Sequence, residues 1–270
     1  CAIVLQWPWY LCLLAAMLFG AIWGALPGIF KAYLNINEVI TAIMFNWIGL
    51  YMVNDIMYGK GKSPMYDLAS TKTYSLRKAA PQAMIPSLGM SELFGKLQSV
   101  TIAIFIAIFF AIVVYIILNK TAFGYELRAC GFNKNAARYA GINEKRNIIL
   151  AMMISGALAG VGAGLYYLST VAEWNPQVST ALPAMGFNGI STALLACSNP
   201  IGTIFSSLFI SYITVGGTKL STQYYTKEIA DVITALIIYL CAFSLLFKNK
   251  IRALLVGKAK RVSVGKGGDD

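Results

Sequence analysis

The chain has 270 residues, 58% of them hydrophobic and 12% charged, where a soluble domain carries about 25% charged residues. With a mean hydropathy of +0.66 it holds more apolar surface than a water-soluble core of this size can hide, so lipid is the expected solvent. The net charge of +11 rests on Lys and Arg lying between and after apolar runs, which fits cytoplasmic loops and speaks against nucleic acid as a partner.

The chain starts at Cys1 and is apolar almost at once, so the expectation is a truncated N-terminus that lacks a leader or further transmembrane helices. A helix needs roughly 17–25 apolar residues to cross a bilayer. The predicted first span runs from about Pro8 to Leu26 and the second from about Ile36 to Tyr58. Pro27-Gly28 suggests a broken helix or loop between them. A loop over 59–99, rich in Ser, Pro and Thr, follows and is read as extracytoplasmic. The third span, Val100 to Leu118, carries no charge at all. The segment 119–147 is polar and basic and is read as cytoplasmic. The fourth span runs from Ile148 to Leu168, the fifth from Ile201 to Val215 and the sixth from Ile229 to Phe247.

Between the fourth and fifth spans, 182–199 is moderately apolar but too short to cross comfortably. A broken helix or re-entrant piece fits, since irregular backbone at membrane depth is tolerated where it is buried or lines a cavity. The tail 248–270 is basic and belongs in the cytoplasm. The predicted fold is therefore all-α: about six full transmembrane helices plus a short segment in a transmembrane domain over 1–247, then the tail.

Some residues stand out against this apolar background. Gly156, Gly160 and Gly164 recur every four residues and share one helix face. That lets another helix approach closely, or lines a substrate path. Glu38 accompanies Asn37, Thr41 and Asn46 in the second span. An ionisable group inside a membrane helix suggests a functional site. The alternative is that Glu38 sits at the cytoplasmic interface and caps the helix that starts near Asn37. Asn188 and Thr192 lie one turn apart in the short segment, suited either to a substrate site on a broken helix or to helix–helix hydrogen bonds.

The chain has no histidine, which removes the commonest general base. Five scattered cysteines lack CxxC spacing and read as small apolar fillers, so neither a metal nor a cofactor is implied. No G-x-x-x-x-G-K-[ST] phosphate loop occurs, so any ATP must be bound by another chain.

The stretch "TAFGYELRACGFNKNAARYAGIN", from Thr121 to Asn143, is far longer than the usual 2–8-residue helix connection. Gly131 and Gly141 punctuate it. It reads as helix–turn–helix on the cytoplasmic surface, able to dock a soluble partner. This stretch, with "AMMISGALAGVGAGLYYL" after it, resembles the permease subunits of bacterial ATP-binding-cassette importers. The branch is the one shared by branched-chain amino acid, monosaccharide and nucleoside importers. "NEVIT" at 37–41 and Asn46-Trp47 are most similar to the nucleoside-type permeases.

The resemblance implies a multi-pass protein of the bacterial cell membrane that has no catalytic chemistry of its own. It would work with a cytoplasmic ATPase, a second permease subunit and an extracytoplasmic substrate-binding lipoprotein, and would move nucleosides or a related sugar-containing solute inward. It further implies that Glu126, Arg128, Gly131, Asn133, Ala136 and Ala137 lie at the ATPase-coupling surface, while Asn37, Glu38, Thr41, Asn46, Asn188 and Thr192 are candidates for the substrate path. The competing reading is an ion-coupled secondary transporter that uses Glu38.

Overall fold

The computed structural model describes residues 1–58, 66–67, 72–86, 101–170, 174, 182–218, 229, 232–233, 235–237 and 239–240. Most of the expected sixth span, the basic tail and most of the 59–99 loop lie outside the described residues. The chain divides into two compact units, Cys1–Leu182 and Pro183–Asp270.

The first unit opens with a short helix α1 (Ala2–Leu5), then α2 (Trp9–Leu34) and α3 (Glu38–Tyr58). After a short helix α4 (Leu76–Ala79) come α5 (Ala103–Lys120), α6 (Ala122–Phe132), α7 (Lys134–Tyr139) and α8 (Glu144–Leu168). The second unit holds α9 (Ala184–Leu195) and α10 (Pro200–Thr218). Among the described residues, α2, α3, α5, α8 and α10 are long and apolar enough to cross a membrane. These five correspond to the first five predicted spans. The β-structure among the described residues is a pair of two-residue antiparallel strands, with Tyr66 opposite Thr73 and Asp67 opposite Lys72.

One expectation fails at Pro27. It lies inside α2, which continues unbroken to Leu34. Proline removes a helix donor, but membrane helices tolerate it where neighbours hold the backbone in place. Here the neighbour is α8, which α2 follows for most of its length. Asn35, in the left-handed conformation at φ 51°, ends α2 instead.

The pairing of α2 with α8 organises the unit. Both helices carry glycine at four-residue intervals: Gly20, Gly24 and Gly28 on α2, and Gly156, Gly160 and Gly164 on α8. A Cβ at Gly24 would lie 2.6 Å from the Met152 carbonyl oxygen and 2.8 Å from Gly156 Cα. One at Gly28 would lie 3.2 Å from Ile149 Cα, and one at Gly160 would lie 3.3 Å from Gly20 Cα. Rising numbers on α2 meet falling numbers on α8, so the pair is antiparallel. With no hydrophobic drive between helices in lipid, such backbone contact supplies the dispersion energy that joins them. Near the seam's end, Lys145 Nζ sits 5.0 Å from the centre of the Tyr33 ring, a cation–π contact.

The opposite end of α8 is closed by residues 72–86. Ile85 N–H donates to the Leu168 carbonyl (3.2 Å), and Thr73 N–H donates to that of Trp174 (3.1 Å). Ala80, Ala83 and Ile85 are buried there in one cluster with Cys12, Val161, Leu165 and Leu168. The start of α5 packs on this cluster through Ile102, Ala103 and Ile106. No residue of α5 is buried within the chain, as expected for a helix solvated by lipid.

In the second unit α9 has 12 residues. That is about 18 Å of helix, well short of the ~30 Å hydrocarbon core, so α9 is a half-helix. Cys197 and Ser198, both at positive φ, turn the chain toward α10. Asn199 Oδ1 accepts from Ile201 N–H (3.0 Å) to cap α10, and Ser206 Oγ donates to the Thr192 carbonyl (2.8 Å) to hold the two helices together.

Candidate functional site

Two features of the first unit can carry function: a cavity among α2, α3 and α8, and the helical pair α6–α7. The cavity is about 970 Å³. Its wall is mainly apolar and small, with Trp23 and Phe45 as aromatic faces and Asn46 and Ser155 as polar groups. Trp23 meets Phe45 edge-on, with ring centres 5.7 Å apart, and Gly49 gives its indole room. An apolar enclosure with a few polar groups is the usual composition of a small-molecule site.

Within the first unit, the substrate-path candidates of α3 fall in two places. Asn37, Glu38 and Thr41 gather at the start of α3. Asn37 Oδ1 accepts from Val39 N–H (2.9 Å), and the Thr41 hydroxyl donates to the Asn37 carbonyl (3.0 Å). Glu38 forms an ion pair with Lys31 of α2. Asn46 lies two turns further along and reaches the cavity wall. Asn188 and Thr192 belong to α9 in the second unit, where the Thr192 hydroxyl donates to the Gly189 carbonyl (2.8 Å).

The helical pair begins at a sharp corner. Thr121 Oγ1 donates to the Ile117 carbonyl (2.5 Å) and accepts from Gly124 N–H (3.1 Å), ending α5 and starting α6 with one side chain. A Cβ at Gly124 would fall 2.6 Å from Leu118 Cα, so the corner needs a glycine there. Gly131 does not break the helix as the sequence suggests. It lies within α6 with nothing near it, and the break falls at Asn133. Asn133 Oδ1 accepts from Asn135 N–H (3.0 Å) and Ala136 N–H (3.2 Å), an amide cap that starts α7. Gly141, at φ +80°, closes α7, and Ile142 N–H donates to the Ala137 carbonyl (3.0 Å).

The six residues singled out on this pair divide by what they touch. Glu126 turns inward to Asn147, Ala137 is buried, and Arg128 points toward Asn119. Gly131, Asn133 and Ala136 are exposed. The pair's most prominent groups are Phe132 and Tyr139, 91% and 94% exposed, neither of them among the six. Lone aromatics in a polar stretch were the available signal. Gly20 and Gly24 also went unremarked and Gly28 was read only as a break beside Pro27, although their spacing repeats that of the glycines on α8.

Antiparallel membrane-length helices around a cavity, with a polar helical pair at one end, define a multi-pass membrane protein. Residues 1–242 match the family described as branched-chain amino acid transport system / permease component, and the chain belongs to that family. It is a membrane permease component and not an enzyme. It is 32% identical to the nucleoside ABC transporter permease protein NupB of Lactococcus lactis, covering 95% of this chain and 69% of that protein. It is 31% identical to the guanosine ABC transporter permease protein NupP of Bacillus subtilis, over 93% of this chain and 68% of that protein. The glucose ABC transporter permease protein TsgB13 of Haloferax volcanii is 25% identical over 87% of this chain and 61% of its own length. No solved structure matches.

Proposed function

We propose that the chain is the membrane-spanning subunit of an ATP-binding-cassette importer that moves nucleosides, or a related sugar-containing solute, inward. The observation that carries this reading is the likeness to NupB and NupP along more than nine-tenths of the chain. The cavity supports it. Trp23 and Phe45 offer flat apolar faces to a base, while Asn46 and Ser155 can hydrogen-bond its polar edge or the sugar.

The helical pair α6–α7 is then the surface that meets the ATPase. Phe132 and Tyr139 are the kind of exposed aromatics that anchor protein interfaces, and Arg128, Lys134 and Arg138 around them favour an acidic partner. Gly131 and Ala136 leave room for its approach, while Asn133 sets the angle between the two helices. A second permease subunit and an extracytoplasmic binding lipoprotein complete the assembly. Glu38 does not support an ion-coupled cycle, because it sits at the start of α3 in an ion pair with Lys31 and not alone in the middle of the helix.

The test is purification of the full chain with its neighbours and assay in proteoliposomes. A cytoplasmic ATPase should co-purify, and guanosine should accumulate only with ATP. Uptake driven by an ion gradient alone, with no ATPase bound, would overturn the proposal.

A further inference from the structure

We propose that Asn147 and Glu126 form the joint through which movement of α6 reaches the cavity wall, a positioning role that rests on the importer reading above. Asn147 lies in the first turns of α8 and is 2% exposed. Asparagine is a poor interior helix residue, and a buried amide is costly unless it is hydrogen-bonded. Its Nδ2 donates to Glu126 Oε2 at 3.0 Å and lies 3.8 Å from Cys130 Sγ. Glu126 and Cys130 are one turn apart on α6, so the amide grips a single face of that helix. Tyr125 and Phe132 lie on another face and remain exposed. Among the described residues, this is the side-chain hydrogen bonding that links α6 to α8.

The remainder of the path is steric. From Ile149 to Gly160, α8 lies on α2 at backbone contact, so the two helices cannot move independently. Their shared length, with α3, lines the cavity. A displacement of α6 that Asn147 transmits to α8 therefore moves two of the cavity's three walls together. Without the joint, α6 is tied to α8 only by the α7 connection and apolar contact. An ATPase could then move α6 without switching access to the cavity.

The experiment uses the full transporter with its ATPase. An Ala159→Cys reporter in the cavity wall is alkylated with and without ATP plus vanadate and read by peptide mass spectrometry. In the reporter parent, ATP plus vanadate changes the alkylation rate. Asn147→Leu should keep the ATPase bound yet shrink that change by roughly 3- to 30-fold. Glu126→Gln combined with Asn147→Asp reverses donor and acceptor across the same gap and should restore it. Retention of the full response in Asn147→Leu overturns the joint. So does a reversed pair that behaves like Asn147→Leu, since loss without rescue indicates damage to packing. A parent that binds no ATPase and shows no ATP response overturns the importer reading, and the joint with it.

Discussion

Gly156→Ala tests the α2–α8 seam directly. The added methyl would lie 2.8 Å from Gly24 Cα and 3.1 Å from Gly24 N, and both atoms are backbone that no rotamer change can move. Carbon atoms prefer separations of about 3.5–4.0 Å, so the helices must part by roughly 1 Å locally. A gap of that size forfeits about a quarter to a half of each contact's attraction. Overpacking of this kind costs about 1–3 kcal/mol.

Alanine is also a better helix former than glycine by up to about 1 kcal/mol, which would mask part of the loss. Gly162→Ala controls for this, because Gly162 is on the same helix with nothing within 4 Å. The propensity gain cancels between the two variants, so Gly156→Ala should be less stable than Gly162→Ala by the steric term, about 1–3 kcal/mol. The assay is tryptophan-fluorescence thermal unfolding of the full chain in detergent, comparing apparent Tm. Equal shifts in the two variants would refute close backbone contact as what joins α2 to α8.

Asn133→Ala removes the α7 cap and should cost about 1 kcal/mol locally. It would be seen as faster hydrogen exchange at residues 134–137 with little change in Tm. Phe132→Ser with Tyr139→Ser should weaken ATPase association by at least about 10-fold in a pull-down, since interface aromatics are worth ~2 kcal/mol or more, while the permease itself stays folded. Glu38→Gln loses an ion pair whose carboxylate side is half exposed, so stability should fall by less than about 1 kcal/mol in thermal unfolding, and ATP-driven uptake should persist.

Much of the molecule was legible because lipid imposes simple rules. Uncharged apolar runs mark helices whatever surrounds them, so α2, α3, α5, α8 and α10 follow from composition and length. The half-helix α9 follows from a run too short to cross. The length and polarity of 121–143 likewise announced a helical pair. Pro27 misled because its effect depends on context. Proline breaks a helix in isolation, but α8 holds α2 continuous. Gly131 misled for a similar reason, since it sits harmlessly inside α6 while the Asn133 amide supplies the break.

By itself, then, the sequence determined which segments enter the membrane and which carry polar surface, because both depend on local transfer free energy and local capping. Only the tertiary structure decided which glycines meet, that Asn46 reaches a cavity while Glu38 pairs with Lys31, and that Glu126 turns inward to Asn147. Each of these joins residues distant in the chain or on different helices. The cost of a contact or of a buried polar group depends on what the fold brings against it, and no local pattern records that.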